Sequence, residues 1–553
     1  MKSIKKILAL LLSIMLVISL LAGCSGGDKT SGEGPDSTET AKPNDNQETP
    51  APDETPVVDE NPYKDPIKIS IAHWDIDKSI TGAEDPVYDI IKEKFNIEIE
   101  PQAISWGDYY DKINVWSASG ELPDVFSIDM IGTPTFNNWA NNNLIAPLPD
   151  DLSKYPNLKQ IVDQSDVQAY KFNEKMYFIP RPTYVDANWW ANDRGILIRK
   201  DWMENLGMEA PKTDQEFIDL MVAFANDDPD GNGQKDTVGL TVHNSGFLWG
   251  AATNIAPQLS WTGWIKEDGK FIRNELSKEA FDFYSFARKL YDAGGLDKDF
   301  AVLKGEDGIN KFGSGKAGAL ALQVAPKHVA KIYNVWSKLF EDQIMTDSIG
   351  ILPSRPDANG DYWRFITTSF WSESYINATV DENKMDRILA LYDFLMSDDG
   401  YTLMWKGIEG VDYNVNADGT FENLMGTKED GTAITTGEKY PFCYSLSYLA
   451  TWGDDNQYDN TAYPEDIRTM SKEHLEWQLE NAKAPQYEWV LGGLNTPTKD
   501  KVVLEGGADM IQFILSDKSE EEAWQEIISK YEAQGYNNLV DEVNAAAIEL
   551  GIE

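Results

Sequence analysis

Ile67-Lys68-Ile69-Ser70-Ile71-Ala72 predicts a strand, and the elements that follow it decide the fold class. Pro86 to Phe95 predicts a helix, with Pro86 suited to its first turn. Ile97 to Ile104 predicts a second strand. Trp106 to Ser119 predicts a second helix, because Tyr109, Ile113 and Trp116 recur at helical spacing. Asp124-Val125-Phe126-Ser127-Ile128 completes the series as a third strand. Strand, helix, strand, helix, strand predicts a parallel sheet with helices on its faces, an α/β fold. Ligands of such sheets bind beyond the carboxyl ends of the strands, where Trp74, Trp106 and Asp129 stand.

A second α/β region begins near Gly195-Ile196-Leu197-Ile198. Asp201 to Leu206, Thr213 to Asn226 and Lys278 to Asp292 are its expected helices. Thr213 followed by Glu216 is a capping box. No internal repeat recurs at a solenoid or propeller period.

Upstream of Ile67 the chain has a different character. Lys2, Lys5 and Lys6 precede the apolar run Ile7 to Leu20, and Leu21-Ala22-Gly23-Cys24 follows. That is the layout of a secretory signal peptide over 1–23, and the run is shorter than the ~20 residues a spanning helix needs. The string ending in Cys24 resembles the bacterial lipobox. This resemblance implies cleavage before Cys24, a lipidated Cys24 thiol and an acylated new amino terminus. Paired acyl chains hold a protein stably on a membrane. Residues 24–66 are rich in Gly, Ser, Thr, Pro and acidic side chains, the composition of a disordered acidic linker. The expected location is the outer face of the cell membrane, on a lipid anchor. About 490 residues remain, enough for two or three domains at ~100–200 residues each.

The chain carries 18 Trp and 24 Tyr, and its net charge is −44. Such acidity repels nucleic acid, so no nucleic-acid partner is expected. With Cys24 lipidated, Cys443 is alone, and no disulfide framework exists. Cys443 reads as a small buried residue. No later run is long and apolar enough to cross a membrane.

Several segments resemble an extracellular solute-binding protein of a bacterial ABC importer, of the large carbohydrate-binding lipoprotein type. They are Tyr110-Asp111-Lys112-Ile113-Asn114 through Asp124-Val125, Ile198-Arg199-Lys200-Asp201-Trp202 through Leu206-Gly207, and Phe312-Gly313-Ser314-Gly315-Lys316-Ala317-Gly318. Gly407-Ile408-Glu409-Gly410-Val411-Asp412-Tyr413 is the fourth. The resemblance implies two lobes of periplasmic-binding-protein type, each with a sheet, and a hinge that closes an interlobe cleft on ligand. Lobe 1 is expected over 67–190 and, on the return of the chain, 325–400. Lobe 2 is expected over 191–324, with 401–553 mainly lobe 2 and hinge-associated helices. The implied function is capture of an oligosaccharide, or similar polyhydroxylated solute, by a monomer that delivers it to ABC permease subunits.

Asp228-Pro229-Asp230-Gly231-Asn232-Gly233-Gln234-Lys235-Asp236 fits the first nine positions of a calcium loop. Asp228, Asp230, Asn232 and Asp236 supply side-chain oxygens, and Gln234 its carbonyl. The motif departs at the twelfth position, where Gly239 replaces the bidentate Glu. Structural Ca²⁺ is expected there; the alternative is a Gly/Asp-rich turn without metal. Asn414 to Gly419 also alternates oxygens, but Asp418-Gly419 signals a hairpin. Gly313 to Gly318 matches a dinucleotide glycine pattern in the wrong context, after a helix and before a strand. The four histidines have no metal-ligand spacing.

Flat aromatic rings cover the apolar faces of sugars, while Asp, Asn and Arg bind the hydroxyls. Trp74, Trp106, Trp189, Trp190, Trp249, Trp371 and Trp452 fall in loops or at strand ends, and with Asp129 they are the candidate ligand-binding residues. Trp261 and Trp264 fall in loops as well. Trp202, Trp336, Trp405, Trp477 and Trp524 lie in helical patterns and are expected in the core. No catalytic residue is assigned. A secreted glycosidase would share the aromatics and the acidity, but needs two carboxylates at a set separation. A surface sensor or adhesin of the same fold is the third alternative.

Overall fold

The computed structural model describes residues 63–552, except 75, 80–83, 106, 185–186, 260–262, 429–432, 453–457, 459 and 461–462. The signal peptide, Cys24, nearly all of the linker, Trp106 and Trp261 therefore lie outside the described residues. The strands that build two sheets are β1 (Ile67–Ala72), β2 (Ile97–Pro101), β3 (Val125–Ile128), β4 (Ile179–Pro182), β5 (Gly195–Arg199), β6 (Val238–Val242), β7 (Ala317–Leu322), β8 (Ile349–Ile351) and β9 (Phe370–Ile376).

The first sheet runs in the order β2-β1-β3-β9-β4. β1 is parallel to β2 and β3, with Ile69 opposite Ile99 and Ile71 opposite Val125. The expected strand-helix-strand-helix-strand unit is thus present. Helix α1 (Pro86–Phe95) starts where Asp85 accepts from the Tyr88 amide at 2.9 Å, and it buries Val87, Ile91 and Phe95. Strand β2 stops at Pro101, short of the expected Ile104, because proline has no amide to donate. Helix α2 (Tyr109–Ser119) buries Tyr109 and Ile113 and ends at Gly120 with φ +76°. The sheet is mixed, not purely parallel. β9 inserts antiparallel between β3 and β4, with Tyr375 opposite Phe126 and Ser374 opposite Ile179.

The second sheet has the order β8-β5-β7-β6. β5 and β7 are buried along their whole length, as strands covered on both faces must be. Period-two alternation sends Ile196 and Ile198 to one apolar cluster and Leu197 to another. Helix α3 (Asp214–Asn226) carries the expected capping box, with Thr213 and Glu216 bonded in both directions. Its Phe224 ring lies so close to β7 that a Cβ on Gly318 would come within 2.1 Å of it. The glycines of the 313–318 stretch therefore serve a turn, at Gly315 with φ +72°, and a close helix–strand contact, at Gly318 within β7. Helices α4 (Lys278–Asp292) and α5 (Pro326–Leu339) flank this sheet, α4 in the cluster of Ile196 and α5 in that of Leu197.

Phe370 is where the chain rejoins the first core, later than residue 325. Helix α6 (Glu382–Leu395), Met404, Trp405, Tyr440, Cys443 and Leu446 follow in the same core as far as Ala450. Phe513, Ile527, Tyr531 and Leu539, from the carboxyl-terminal helices, then pack in the second core. The chain passes from the first sheet to the second after Pro182, back before Phe370, and across again after Trp452. Cys443 is fully buried, with its Sγ 3.2 Å from Met404 Sδ. Trp202, Trp336 and Trp405 are buried as expected, while Trp477 and Trp524 are half-buried. No helix of the described residues is long and apolar enough to cross a membrane.

Candidate functional site

Three tryptophans from distant parts of the chain meet at one end of the first sheet. Trp74 follows β1, Trp371 lies in β9, and Trp452 follows a short helix, Pro441–Ser447. The Trp74 ring centre is 6.0 Å from that of Trp371 and 6.2 Å from that of Trp452, with interplanar angles of 22° and 25°. Trp371 and Trp452 are 5.3 Å apart. The guanidinium of Arg181 on β4 lies against all three rings, at 4.3, 5.4 and 4.4 Å. Arg181 is only 1% exposed and donates to the Tyr448 carbonyl at 3.0 Å and to Ser372 Oγ. Burial lowers its pKa, and the carboxyl of Glu373 works the other way.

A backbone irregularity aims Trp371. The β9–β4 register shifts between Phe370 and Glu373, and Ser372 has φ +61°, a left-handed conformation that serine seldom takes. The bulge breaks the in-out alternation at Trp371. Its carbonyl accepts from Arg181 Nε at 3.4 Å, which ties the bulge to the arginine.

Trp371 and Trp452 form one wall of a cavity of about 500 Å³. Trp190, Asp193, Arg194, Phe247, Gln323 and Lys327, from the second sheet's side, line it too. Asp193 is held by Arg194, by the Tyr184 hydroxyl at 2.8 Å and by Gln323 Nε2 at 2.7 Å. Arg194 stacks on Phe247 and Phe365 at 4.3 and 4.9 Å. Lys327 Nζ donates to the Tyr448 hydroxyl at 3.2 Å, and Tyr448 packs against the first core. The site therefore pairs an aromatic floor with fixed polar groups, and both cores contribute.

The other sequence candidates are spread more widely. Asp129, beyond β3, accepts from the Tyr109 hydroxyl at 3.0 Å and from that of Tyr110. Tyr109 meets Trp74 edge-on at 5.6 Å, which puts Asp129 one residue away from the tryptophan cluster. Trp190 lines the cavity but is 3% exposed and packs on Phe365. Trp189 is half-buried and meets Tyr458 edge-on at 6.4 Å, away from the cavity lining. Trp249 belongs to the second core: its Nε1 donates to the Ala256 carbonyl at 2.9 Å and its ring packs on Phe365. Sequence reasoning missed Arg181, Arg194 and Lys327. Arg181 did leave a signal, a charge set between Pro180 and Pro182 in an otherwise apolar strand.

Directly behind the bulge, Glu373 is 1% exposed. Its Oε1 accepts from the amides of Met130 and Ile131, at 2.7 and 2.8 Å, and from the Tyr375 hydroxyl at 2.6 Å. Burial nevertheless pushes its pKa up to about 8. Glu373 thereby ties the loop after β3 to the strand that carries Trp371.

The Asp228–Asp236 loop lies on the second-core side, between α3 and β6, and its residues are not among those lining the cavity beside Trp371 and Trp452. Asp228 accepts from the Gly233 amide at 2.9 Å, and Asn232 Oδ1 from the Gln234 amide at 2.7 Å. The Asn232 amide reaches Asp230 at 2.8 Å and Asp236 at 3.1 Å. Lys316 bonds Asp236 at 2.6 Å. The donors are hard oxygens, which suits Ca²⁺. Among the described residues, no three His, Cys, Asp or Glu side chains converge as a metal-holding group. Gly239 supplies no side-chain ligand at the twelfth position, and no larger residue fits there, since a Cβ would lie 2.2 Å from the Met221 carbonyl oxygen.

Two sheets, each with its own core, and a cleft lined from both define a two-lobe binding protein. The chain belongs to the family of bacterial extracellular solute-binding proteins, whose profile matches residues 79–401. As a member, it is a binding protein and not an enzyme. It is 26% identical over 461 residues to the polygalacturonan/rhamnogalacturonan-binding protein YtcQ of Bacillus subtilis, covering 82% of this chain and 83% of YtcQ. It is 28% identical over 337 residues to lipoprotein LipO of the same organism, covering 59% of this chain and 63% of LipO. The ABC-transporter substrate-binding protein FusA of Streptococcus pneumoniae, solved with kestose, superposes with a TM-score of 0.62 at 18% identity. The match covers 88% of this chain and 99% of that one.

Proposed function

We propose that the protein captures an oligosaccharide in the cleft between its two cores and delivers it to an ABC permease. One observation carries this: Trp371 and Trp452 line a cavity that Asp193, Arg194, Gln323 and Lys327, from the other core's side, line as well. Sugar rings match that combination, an apolar face with a hydroxylated rim. The names of YtcQ and FusA, both binders of sugar polymers or oligomers, support the same class. A ligand touching both walls favours the shut cleft by its differential affinity, and a hinge between the lobes supplies the motion. Trp74, Trp371, Trp452, Trp190 and Asp129 are the residues proposed to meet or shape the ligand.

The protein is proposed to act as a monomer at the outer face of the cell membrane, held by acyl chains on Cys24. The lipobox-like string and the relation to LipO support the anchor. The 228–236 loop is proposed to hold a structural Ca²⁺ through Asp228, Asp230, Asn232, Asp236 and the Gln234 carbonyl. Its oxygen spacing and its distance from the tryptophans support that role. Calcium there would neutralise clustered carboxylates and stiffen the loop.

A thermal-shift screen against monosaccharides, oligosaccharides and peptides tests the function. A specific ligand at a hundredfold excess over Kd stabilises by about 2.7 kcal/mol. The expected result is stabilisation by an oligosaccharide that is afterwards recovered intact by chromatography. Stabilisation by peptides alone would overturn the proposal.

A further inference from the structure

We infer that the cleft takes an extended oligosaccharide, and that Tyr110 stacks on a sugar unit beyond those held at Trp371 and Trp452. This rests on the oligosaccharide function proposed above and adds a residue that selects for ligand length.

The aromatic floor does not end at the cavity beside Trp371 and Trp452. Trp371 meets Trp74 at 6.0 Å, Trp74 meets Tyr109 edge-on at 5.6 Å, and Tyr109 meets Tyr110 at 4.1 Å between ring centres. Each ring touches the next. The row follows the carboxyl ends of the first sheet's strands, with Trp74 beyond β1 and Asp129, which Tyr110 bonds, beyond β3. That end of a sheet is where ligands of α/β proteins bind. Tyr109 and Tyr110 open helix α2, and successive helical residues point about 100° apart. Tyr109 is therefore buried against Trp74 at 6% exposure, whereas Tyr110 is 38% exposed.

An exposed tyrosine is ordinary on a protein surface. Tyr110 differs in how it is held. Its hydroxyl donates to Asp129 Oδ1, which also accepts from the Tyr109 hydroxyl at 3.0 Å. The next two amides, of Met130 and Ile131, donate to Glu373 Oε1 at 2.7 and 2.8 Å. A line of hydrogen bonds thus runs from β9 in the core to a ring at the surface. A ring fixed before the ligand arrives lowers the ordering cost of stacking on it.

The second core borders the same edge. Beginning three residues past Asp129, Gly132, Thr133 and Pro134 line a cavity of about 380 Å³ together with Trp264, Leu491 and Val502 of the second core. The row from Trp371 to Tyr110 therefore links two cavities that both cores line. An oligosaccharide seated beside Trp371 can continue over Trp74 and Tyr110 toward the second of them. Among the described residues, Tyr110 is not part of the lining of the 500 Å³ cavity, so a short ligand seated there does not use it.

Calorimetry on the full-length mature protein with galacturonan, fructan and mannan ladders, each from disaccharide to octasaccharide, tests this. In a series that binds, affinity should rise with length. Tyr110→Ala should weaken the longest members about tenfold, through loss of one aromatic face, and leave the shortest binding member unchanged. Tyr110→Phe keeps the ring and should retain most of the affinity. Wild-type affinity along the whole ladder in Tyr110→Ala, an equal loss at every length, or a Tyr110→Phe as weak as Tyr110→Ala overturns the inference and leaves the sugar receptor standing. An affinity that does not grow with length does the same. If none of the ladders binds the wild type, the receptor function falls and this inference with it. Should Tyr110→Ala misfold, hydroxyl-radical footprinting of the unaltered protein decides. Long members should shield the Tyr110 ring and short ones should not; equal modification with either refutes the assignment.

Discussion

The Arg181 guanidinium carbon lies 4.3 Å from the centre of the Trp74 ring, in a position almost wholly closed to solvent. A buried arginine is costly unless its donors are satisfied and its face is covered. Here carbonyls and a hydroxyl take the donors, and Trp74, Trp371 and Trp452 cover the face. The tryptophans are therefore held from behind before any ligand arrives. Preorganisation of this kind lowers the entropy cost of binding.

Truncating two tryptophans should separate binding from folding. Trp371→Ala is expected to weaken oligosaccharide binding by roughly 1–3 kcal/mol through loss of an aromatic face. Its effect on stability should be the smaller one, since Trp371 is half-buried at a bulge. Trp249→Ala should instead cost about 3–5 kcal/mol of stability, because the ring is 6% exposed within the second core. Urea unfolding beside calorimetric titration checks both halves of this contrast.

Glu373 should make stability fall as pH rises. Its folded-state pKa is raised from 4.5 to about 8, so the folded protein retains a proton that the unfolded chain has lost across that window. Stability from this group is complete below pH ~4.5 and is lost progressively up to pH ~8. Glu373→Gln mimics the protonated carboxyl and should remove that loss, on the order of a few kcal/mol at pH 8. Buried His474, with its pKa lowered to about 4 by desolvation, gives the opposite trend at lower pH. The measurement is therefore the difference between wild type and variant from pH 6.5 to 8.5. Parallel curves would remove Glu373 from the account.

Much of the first lobe was legible in the sequence. α1 has the expected limits, with Pro86 in its first turn, and β1 to β3 pair in parallel as the alternation of elements implies. β9 was not legible as their neighbour. Its partners lie roughly 190 to 250 residues upstream, and a single strand pattern carries no address for its pairing. The tryptophans show the same limit. Trp249 lies in a 3-10 turn and Trp371 in a strand, both expected in loops or at strand ends, and only tertiary packing makes one a core residue and the other part of the cavity lining. Arg181 was overlooked because a buried charge is recognisable only once its covering rings are known.

Chelation should lower the melting temperature without abolishing sugar binding. Asp228→Ala combined with Asp230→Ala should do the same, because the loop stands apart from the tryptophan cluster. Metal analysis of protein purified without chelator, followed by calcium add-back, checks this. No bound calcium and no thermal shift would contradict it.

Cys24→Ser should release the protein from membranes or leave its precursor uncleaved, since lipidation requires the thiol. Membrane fractionation with mass analysis of the mature amino terminus reads both outcomes. Unchanged retention with no lipid on the wild-type terminus would refute the anchor.

The most direct test of the receptor account is a tryptophan-emission titration with an oligosaccharide panel, run on wild type and on the Trp371→Ala, Trp452→Ala double variant. The predicted result is a saturable, reversible change with at least one oligosaccharide, strongly weakened or lost in the double variant. Equal affinity in both proteins, or no response to any glycan in the panel, would contradict it.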